Sequence, residues 1–339
     1  METVHVALPS DENYIVGLTA TAGSMAYHAS RDVVLSIHVL DGGIHDDTFD
    51  AFAKKIHRLH PHVEFSRIKV DEVLFANFPV WAGNRMTYAR LMLSEALPDV
   101  KHIIYSDTDY LWLADIAELW AQRQDDVIFA STVDQGGTIE KEQVWAKSKG
   151  LELDPNKYFC AGLSFYNLEL FRKEHIIEQV ADFLKKYPDV LFADQTAMNH
   201  LLLGRVRIVD EKWQTLSMCL TPQNVGKPVA IHYAGDIPWT RGKFWAWTLS
   251  DASLLWYAMM DEINQVPLGT TLKSKLTLWQ RFYKRALANL YKCEFTAKIF
   301  NAVLKVTGRE AYISLFYQFS PCLHLNLSEA KRRVLCIID

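Results

Sequence analysis

Cysteine is scarce in this sequence, with five scattered among 339 residues. No two of them form a Cys-x-x-Cys pair, the spacing that is typical of zinc sites and redox centres. Scattered cysteines of this kind predict free thiols in a reducing compartment rather than a disulfide framework. The five are Cys160, Cys219, Cys293, Cys322 and Cys336.

The first residues lack the pattern of a secretory leader, and long apolar runs are absent from the sequence. Residues 1–10 have no basic start and one short apolar run, and Asp11 and Glu12 follow directly, which predicts no signal peptide. No stretch approaches the ~20 uninterrupted apolar residues of a membrane-spanning helix. With 50% hydrophobic and 22% charged residues, the composition predicts a folded globular protein. We expect it in the cytoplasm.

Glycine-rich phosphate loops are the third absence. The sequence has no Gly-x-Gly-x-x-Gly after its first predicted strand and no Gly-Lys-Ser/Thr loop. This excludes the dinucleotide fingerprint and the P-loop, which hold phosphates at a glycine-rich helix start. A bound nucleotide would need another means of holding its phosphates, and a metal ion would serve.

Short apolar strands alternate with helices over most of the chain, and this pattern predicts an α/β fold with a mainly parallel sheet. The predicted strand at 33–40 is apolar at nearly every position, as expected for a strand covered on both faces. A long helix is predicted at 168–187. The predicted organisation is one α/β domain over 1–250 and a mainly helical region over 251–339.

An aspartate pair, Asp107 and Asp109, follows the predicted apolar strand at 102–105. In an extended chain, residues i and i+2 point the same way, about 6.5–7 Å apart. Both carboxylates can therefore face one small volume past the strand end, where open α/β sheets bind ligands. Oxygen ligands suit Mg²⁺ or Mn²⁺. The pair predicts a divalent cation site, and two solvated loop acids are the alternative.

Polar residues also follow the first predicted strand and open a later helix. Asp11, Asn13 and Tyr14 offer a carboxylate, an amide and a flat ring, which could hold a nucleoside. The alternative is that they cap the next helix. Arg90 is polar among apolar neighbours and could clamp a phosphate or sugar hydroxyls. Its alternative is a salt bridge on the helix face.

Three further polar positions lie in the second half of the sequence. Asp194 and Gln195 begin a predicted helix, where they could bind sugar hydroxyls and face a reacting carbon, or simply form the cap and first turn. His232 ends an apolar strand and could give a metal its nitrogen ligand, or be a core histidine. Gly235 would let the backbone approach a phosphate closely.

In their order along the chain, these groups resemble glycosyltransferase family 8. This family contains retaining GT-A enzymes, including bacterial lipopolysaccharide and lipooligosaccharide galactosyl- and glucosyltransferases, and more distantly glycogenin. The resemblance covers about residues 3 to 247. It rests on seven motifs: Ala7…Asp11-x-Asn13-Tyr14, His38-Val-Leu-Asp-Gly-Gly-Ile44, Thr87-Tyr-Ala-Arg90, Tyr105-x-Asp-x-Asp109, Tyr158-Phe-x-Ala-Gly-x-x-x-x-Asn-Leu168, Asp194-Gln195 and His232-Tyr-x-Gly235…Pro238-Trp239.

The resemblance implies a Rossmann-like GT-A fold and a metal-bridged nucleotide. Asp107, Asp109 and His232 would hold Mn²⁺, with Mg²⁺ as the alternative, and the cation would bridge the diphosphate of a UDP-sugar. The residues implied for uracil and ribose are Asp11, Asn13, Tyr14 and the backbone at Ala7.

The donor sugar would be bound by another set. Arg90 and Asp194 would contact it, Gln195 would lie near its anomeric carbon, and the N–H of Gly235 would meet phosphate. The implied reaction transfers galactose or glucose to a saccharide or glycolipid acceptor in lipopolysaccharide, lipooligosaccharide or other cell-surface glycan synthesis. Gln195 is a poor nucleophile and Asp194 is the only nearby carboxylate, so we favour front-face attack, in which the leaving phosphate oxygen takes the acceptor's proton.

Two departures from the family pattern stand out. The family commonly has Asn-Ala-Gly at 160–162, where this chain begins with Cys160. The family also has a diphosphate-pairing lysine before Pro-Trp, in a segment one residue longer, whereas Asp236-Ile237 precede Pro238 in this chain and the lysine is absent. Arg241 or Lys243 could replace that lysine.

The carboxyl-terminal part has a different charge from the rest. Residues 272–339 hold twelve of the 36 basic residues but four of the 40 acidic ones. Basic helices with interleaved aromatic residues favour anionic membrane surfaces. The acidic remainder argues against a nucleic-acid partner. We expect peripheral attachment at the inner face of the cytoplasmic membrane, with packing of the tail on the body as the alternative.

Two other functions fit parts of the sequence. A phosphatase of the haloacid dehalogenase type also uses Asp-x-Asp, but its nucleophile normally ends the first strand, whereas Asp107 follows about the fourth. A non-catalytic sugar-nucleotide binding protein is the other alternative, because the diphosphate-pairing lysine is missing.

Overall fold

The fold is described from a computed structural model of the chain. Contacts divide the chain into two compact units, Met1–Gln214 and Thr215–Asp339. The predicted domain boundary at 250 falls at the end of residues 240–250, outside the described residues, so that division stays a prediction. The described residues are 1–81, 83, 85–220, 228–235, 237–239, 251–275, 294–306 and 327–335.

The strands of the described residues are short, and most belong to the first unit. They are β1 (Glu2–Ser10), β2 (Val33–Asp41), β3 (Val63–Lys69), β4 (His102–Ser106), β5 (Tyr110–Trp112), β6 (Phe129–Val133), β7 (Phe159–Asn167), β8 (Val206–Ile208), β9 (Thr215–Leu216) and β10 (Ala230–His232).

The helices alternate with these strands through the first unit and follow them in the second. They are α1 (Ile15–His28), α2 (Asp46–Leu59), α3 (Leu93–Ala96), α4 (Ile116–Trp120), α5 (Ile139–Lys149), α6 (Leu168–Lys173), α7 (Ile176–Lys186), α8 (Ala193–Leu201), α9 (Asp251–Ile263), α10 (Thr270–Lys275), α11 (Glu294–Val306) and α12 (Leu327–Val334). Shorter 3₁₀ segments include Glu12–Tyr14 and Met86–Met92.

One seven-stranded sheet organises the first unit, in the order β3-β2-β1-β4-β7-β6-β8. β7 is antiparallel to both of its neighbours, β4 and β6, and the other neighbouring strands run parallel. The predicted α/β fold with a mainly parallel, mixed sheet is therefore confirmed. β2 is buried at almost every position, as its continuous apolar sequence predicted.

The carboxyl ends of the central strands lie at one edge of this sheet. β1 is parallel to both β2 and β4, with Ser10 opposite Asp41 and Ala7 opposite Tyr105. The residues that follow these strands therefore gather at the same edge, which is where open α/β sheets form their ligand crevice. Asp11 and Asp107 are among them.

The predicted single helix at 168–187 is wrong, because it is two helices. α6 ends at Lys173, and α7 begins at Ile176. His175 between them has a φ of 53°. This left-handed backbone cannot continue an α-helix, so the chain must start a new one.

In the second unit, hydrogen bonds join the segment around β10 to α9. The hydroxyl of Tyr233 donates to the carbonyl of Ala252 at 2.6 Å. The hydroxyl of Tyr257 donates to the carbonyl of Pro238 at 3.0 Å. These buried bonds fix the path of the chain after His232, because a buried hydroxyl without a partner would be unfavourable.

The basic tail is described in part, since 276–293 and 307–326 lie outside the described residues. α11 carries apolar side chains that are exposed: Phe295 by 70%, Ile299 by 52%, Val303 by 51% and Val306 by 88%. In the part of the chain that the structure describes, no helix combines the length and apolarity needed to cross a membrane.

Candidate active site

An open pocket of about 210 Å³ lies at the carboxyl ends of β1 and β4. Five of the predicted site residues line it: Asp11, Tyr14, Arg90, Asp107 and Asp109. The predicted nucleotide and metal residues of the first unit therefore share one cavity. Its other lining residues are Pro9, Ser10, Trp81, Met86, Thr87, Tyr105 and Thr108.

Asp107 is fixed by its neighbours on β4 and β7. Its N–H donates to the carbonyl of Gly162 at 2.7 Å. Its Oδ1 accepts from the Tyr105 hydroxyl at 2.8 Å and from Nη2 of Arg90 at 3.1 Å. Burial, with the nearby Asp107 carboxylate, raises the pKa of Tyr105 well above its ordinary value, so this hydroxyl remains a donor. One carboxylate oxygen is thus held in place while the side chain stays 29% exposed.

Arg90 joins the pocket to the protein interior. Its guanidinium is 4.2 Å from the ring centroid of Tyr105 and forms ion pairs with Asp107 and, through Nε at 3.2 Å, with Asp194. It also donates to the carbonyl oxygens of Thr87 and Ala161. Burial opposes its charge, but the two carboxylates outweigh burial and raise the pKa of Arg90 well above its ordinary value. The alternative interpretation predicted a salt bridge on the helix face. The structure instead has a buried network, in which Arg90 pairs with Asp107 and Asp194.

Asp194 lies behind the pocket wall and does not line the pocket. Its side chain is 2% exposed, and its Oδ1 accepts from the Thr87 hydroxyl at 2.7 Å. Burial raises the pKa of this carboxyl, although Arg90 and Thr87 oppose the shift. In this arrangement Asp194 holds Arg90 and Thr87 in place, and its direct contact with a sugar stays a prediction.

Gln195 is held by hydrogen bonds at both ends of its amide. Its Oε1 accepts from the N–H of Ala161 at 2.9 Å. Its Nε2 donates to Oδ2 of Asp134 at 3.2 Å and to the Tyr158 hydroxyl at 3.1 Å. The amide oxygen is therefore turned toward the backbone of the Cys160–Gly162 segment.

The Cys160–Gly162 segment acts through its backbone in these contacts. Ala161 donates its N–H to Gln195 and accepts from Arg90, while Gly162 accepts from Asp107. Cys160 is a free thiol of intermediate exposure. Because the backbone makes the contacts, the replacement of the family's asparagine by Cys160 leaves them in place.

The side chains predicted to hold a nucleoside are more exposed than those of Arg90 and Asp194. The Oδ1 of Asp11 accepts from the N–H of Tyr14 at 2.9 Å, so Asp11 does cap the 3₁₀ turn, as the alternative interpretation predicted. Tyr14 is 39% exposed, and burial together with nearby carboxylates raises its pKa. Asn13 is exposed, and neither it nor the fully buried Ala7 lines the pocket. Their roles stay predictions.

Two of the three predicted metal ligands lie together in the first unit. Asp107 and Asp109 each offer a carboxylate oxygen, and these two oxygens lie within 4.8 Å of each other. His232 belongs to the second unit, and its part in the site stays a prediction. Two carboxylates and one imidazole form a donor set that suits Mn²⁺ and also accepts Mg²⁺. The chemistry of the group therefore fits the predicted divalent cation.

The remaining predicted phosphate contacts can be assessed in part. Gly235 is exposed and has a φ of 75°. A side chain at this position would meet nothing within 4 Å, so the backbone conformation, rather than space, favours glycine here. Asp236, Arg241 and Lys243 lie outside the described residues, so the replacement of the missing lysine stays a prediction.

Several lining residues were not predicted from the sequence. Trp81 is 40% exposed at the pocket, and its ring centroid is 5.6 Å from that of Phe192. Met86 contacts the turn after β2 so closely that a Cβ at Gly42 would lie 2.7 Å from its sulfur. A lone tryptophan in a loop gives no periodic signal, and Met86 could have been found only as the neighbour of the Thr87 motif.

The chain is similar to known proteins over the region that holds these motifs. A family model described as Glycosyl transferase family 8 matches residues 5–246, well over half of the chain. The chain belongs to glycosyltransferase family 8. It is therefore a glycosyltransferase, and enzymes of this family generally use a divalent metal and a sugar-nucleotide donor.

Curated relatives of this family 8 enzyme are distant in sequence. It is 24% identical over 259 residues to General stress protein A of Bacillus subtilis, covering 70% of this chain and 88% of that protein. It is 26% identical over 257 residues to the lipopolysaccharide 1,3-galactosyltransferase of Salmonella typhimurium, covering 69% and 72% of the two chains.

Solved structures share the fold of this family 8 enzyme. The galactosyltransferase LgtC, in complex with donor and acceptor sugar analogs, matches with a TM-score of 0.63 and 22% identity, covering 80% of this chain and 100% of that one. The bifunctional glycosyltransferase WbbM matches with a TM-score of 0.59 and 22% identity, covering 70% and 47%. The chain therefore has the predicted GT-A fold.

Proposed function

We propose that this enzyme moves galactose or glucose from a UDP-sugar to a saccharide acceptor, keeping the anomeric configuration and using Mn²⁺, or else Mg²⁺. The acceptor is a lipopolysaccharide, lipooligosaccharide or other cell-surface glycan. The observation that carries the proposal is the pair of carboxylates from Asp107 and Asp109, whose oxygens lie within 4.8 Å of each other at the pocket, with His232 proposed as the third ligand. Similarity to a lipopolysaccharide 1,3-galactosyltransferase supports the donor and the pathway.

The cation held by Asp107, Asp109 and His232 would supply Lewis-acid stabilisation of the departing diphosphate. The protein residues supply the remaining terms. Tyr14, half-exposed at the pocket, stacks on the uracil. Arg90 keeps its positive charge at the pocket wall, fixed by four hydrogen-bonded or ion-paired neighbours, and so offers preorganised stabilisation of negative charge.

The contacts of Asp194 and Gln195 support front-face attack. Asp194 is buried in an ion pair with Arg90, and the amide oxygen of Gln195 already accepts from Ala161. Neither oxygen is presented as a nucleophile. In the step that we propose, the bond from the anomeric carbon to the phosphate oxygen breaks and a bond to the acceptor oxygen forms. The acceptor's proton passes to the departing phosphate oxygen.

Family membership favours this transferase over the two alternatives drawn from the sequence. The chain matches a glycosyltransferase family over 5–246, which supports an enzyme rather than a passive binding protein. Asp107 follows β4, the fourth strand along the chain, whereas the phosphatase alternative requires its nucleophile after the first strand.

Turnover of a UDP-hexose panel tests the proposal. We expect UDP release from UDP-galactose or UDP-glucose that depends on Mn²⁺, stops with EDTA and returns when Mn²⁺ is added back. Asp109→Asn should lower kcat/KM about 100-fold or more, because a metal ligand loses its charge. Asp50→Asn makes the same chemical change on the exposed face of α2 and should have no effect. Full activity of Asp109→Asn would overturn the assignment.

The tail supports a peripheral position on the inner face of the cytoplasmic membrane. On α11, the exposed Phe295, Ile299 and Val303 follow a spacing of four residues, so they share one helix face. Exposed Lys298 and Lys305 add positive charge nearby. Such a face favours an anionic lipid surface. The absence of a nucleic-acid partner stays a prediction, which rests on the acidic charge of the remainder of the chain.

Vesicle co-sedimentation tests the membrane proposal. We expect binding to vesicles that contain phosphatidylglycerol and little binding to phosphatidylcholine alone. Replacing both Phe295 and Ile299 by serine should weaken binding more than tenfold, because each apolar side chain contributes about 1.5–3 kcal/mol on burial. Equal binding of the variant and the parent protein would contradict this role for α11.

A further inference from the structure

The turn that presents Asp194 and Gln195 has an unusual backbone. Ala193, directly before them, has a φ of 50°. This left-handed conformation is unfavourable by about 1–2 kcal/mol for a residue with a Cβ, so other contacts must hold it. One contact is local: the N–H of Phe192 donates to Oγ1 of Thr196 at 3.1 Å. The side chain of Thr196 thus helps to hold the turn in this conformation.

Thr196 is itself held by a buried carboxylate. Its hydroxyl donates to Oε2 of Glu142 at 3.2 Å, and both residues are fully buried. The other oxygen of Glu142, Oε1, is 3.5 Å from Nε2 of His200. The second ring nitrogen of His200, Nδ1, is 2.9 Å from the carbonyl oxygen of Glu152. The chain of contacts therefore runs from His200 through Glu142 and Thr196 to Phe192.

Nε2 of His200 and Oε1 of Glu142 face each other at ion-pair distance, and both atoms are buried. A carbonyl oxygen only accepts, so Nδ1 of His200 must carry a hydrogen to bond Glu152. In neutral His200, the bare lone pair of Nε2 would then face the Glu142 carboxylate. A proton on either Nε2 or Oε1 removes that repulsion and pairs the buried charge. In both cases Oε2 stays free to accept from Thr196.

The other side of the turn faces the candidate site. Asp194 accepts from Thr87 and pairs with Arg90, and Gln195 accepts from Ala161. A shift of the turn would loosen both sets of contacts together. The rest of α8 is held separately, because the side chain of Asn199 bonds the backbone N–H and carbonyl of Phe159 at 2.9 and 3.0 Å.

We propose that the buried pair Glu142–His200 is a positioning device that acts through Thr196 to hold Asp194 and Gln195 for the donor sugar. These are positioning residues, since none of the three lines the pocket. The inference rests on the proposed function, because it assigns the turn to sugar rather than to uracil. Disruption of the Glu142–His200 pair should therefore weaken the contribution of the sugar to donor binding and leave UDP binding unchanged.

Thr196→Val and Thr196→Ser form the first test. Valine keeps the shape but removes the hydroxyl, and serine restores it. We expect Thr196→Val to lower kcat about tenfold and to reduce the affinity difference between UDP-sugar and UDP, while the Kd for UDP stays within about twofold. Thr196→Ser should stay within about threefold of the parent. Unchanged kcat in Thr196→Val, or equal loss of UDP and UDP-sugar affinity, would overturn the proposal.

Glu142→Gln and Glu142→Leu form the second test. A glutamine amide can donate to Nε2 of neutral His200 and accept from Thr196, so it completes the contacts without the shared proton. We expect Glu142→Gln to keep kcat within about threefold and Glu142→Leu to lose activity as Thr196→Val does. Full activity of Glu142→Leu would contradict the role.

Amide hydrogen exchange separates failure of this inference from failure of the proposed function. The N–H of Phe192 should be protected in the parent and exchange at least tenfold faster in Thr196→Val, whether or not UDP-sugars are turned over. If no UDP-sugar is turned over but this difference is seen, the proposed function fails and the positioning contacts stand. Equal exchange rates in the two proteins would overturn the positioning contacts.

Discussion

Two buried polar clusters in the first unit differ in charge and in place. Around Arg90, a cation meets Asp107 and Asp194 beside the pocket. On β1 and β2, His5 and His38 bond each other at 3.0 Å, and neither lines the pocket. In the first cluster, burial raises the pKa of Asp194 although Arg90 opposes the shift, and in the second cluster burial lowers the pKa of both histidines.

The difference separates polar groups kept for chemistry from polar groups kept for structure. The Arg90 cluster retains charge in a buried place, which is unfavourable unless every charge is paired. That arrangement offers a fixed positive charge to a ligand. The histidine cluster avoids charge, and Nδ1 of His38 is 2.7 Å from the Ser66 hydroxyl, so it joins three neighbouring strands. Variants in each cluster should therefore change different properties.

Loss of the Arg90 charge should have the largest effect. Arg90→Met leaves Asp194 buried without its cation, and we expect the free energy of unfolding to fall by about 3–5 kcal/mol. The loss should be smaller at acid pH, because protonation of Asp194 removes the buried charge. Urea unfolding at two pH values measures both effects.

A double variant provides the control for this change. Arg90→Met combined with Asp194→Leu removes both charges, so stability should recover by at least half while UDP-sugar turnover stays lost. If Arg90→Met unfolds at the same urea concentration as the parent, the buried ion pair does not hold the site together.

Low pH should reduce the free energy of unfolding through the histidine cluster. Burial, and then the neighbouring His5, lower the pKa of His38 to about 4 from 6.5. The unfolded chain therefore binds this proton more readily, so stability is full above about pH 6.5. It falls as pH drops toward 4, by up to about 3 kcal/mol. His38→Gln should flatten urea stability between pH 6.5 and 4 and leave kcat/KM at pH 7.5 unchanged; an undiminished pH slope would refute this.

Substitution of Tyr14, which is exposed at the pocket, should affect the affinity for UDP alone. Tyr14→Ala removes a stacking ring, and we expect UDP to bind more weakly by about 1–3 kcal/mol, as measured by calorimetry. Stability should change little, because Tyr14 is 39% exposed. Tyr14→Phe keeps the ring and should bind UDP as the parent does. Unaltered UDP affinity in Tyr14→Ala would contradict stacking of Tyr14 on the uracil.

The parts of the site that could be predicted from sequence are local. Asp107 and Asp109 stand two residues apart after an apolar strand, and strand geometry places such a pair together without knowledge of the fold. Asp11 follows β1 in the same way. Parallel strands then bring these ends to one edge of the sheet, so the alternation of strands and helices was enough to predict a shared pocket.

The contacts that could not be predicted are long-range or break the usual patterns. Thr87 and Asp194 bond across 107 residues, and no spacing rule connects them. α5 was missed because it buries Glu142 and exposes Val144 by 74%, which reverses the hydrophobic stripe of a helix. The break at His175 was missed because neither glycine nor proline marks it.

Binding of Mn²⁺, followed by electron paramagnetic resonance in the presence of UDP, tests the central claim most directly. We expect the parent protein to bind one Mn²⁺ in the presence of UDP. Asp109→Asn and His232→Ala should each weaken Mn²⁺ binding at least tenfold while the proteins stay folded. Unchanged Mn²⁺ affinity in both variants would contradict a cation site formed by Asp107, Asp109 and His232.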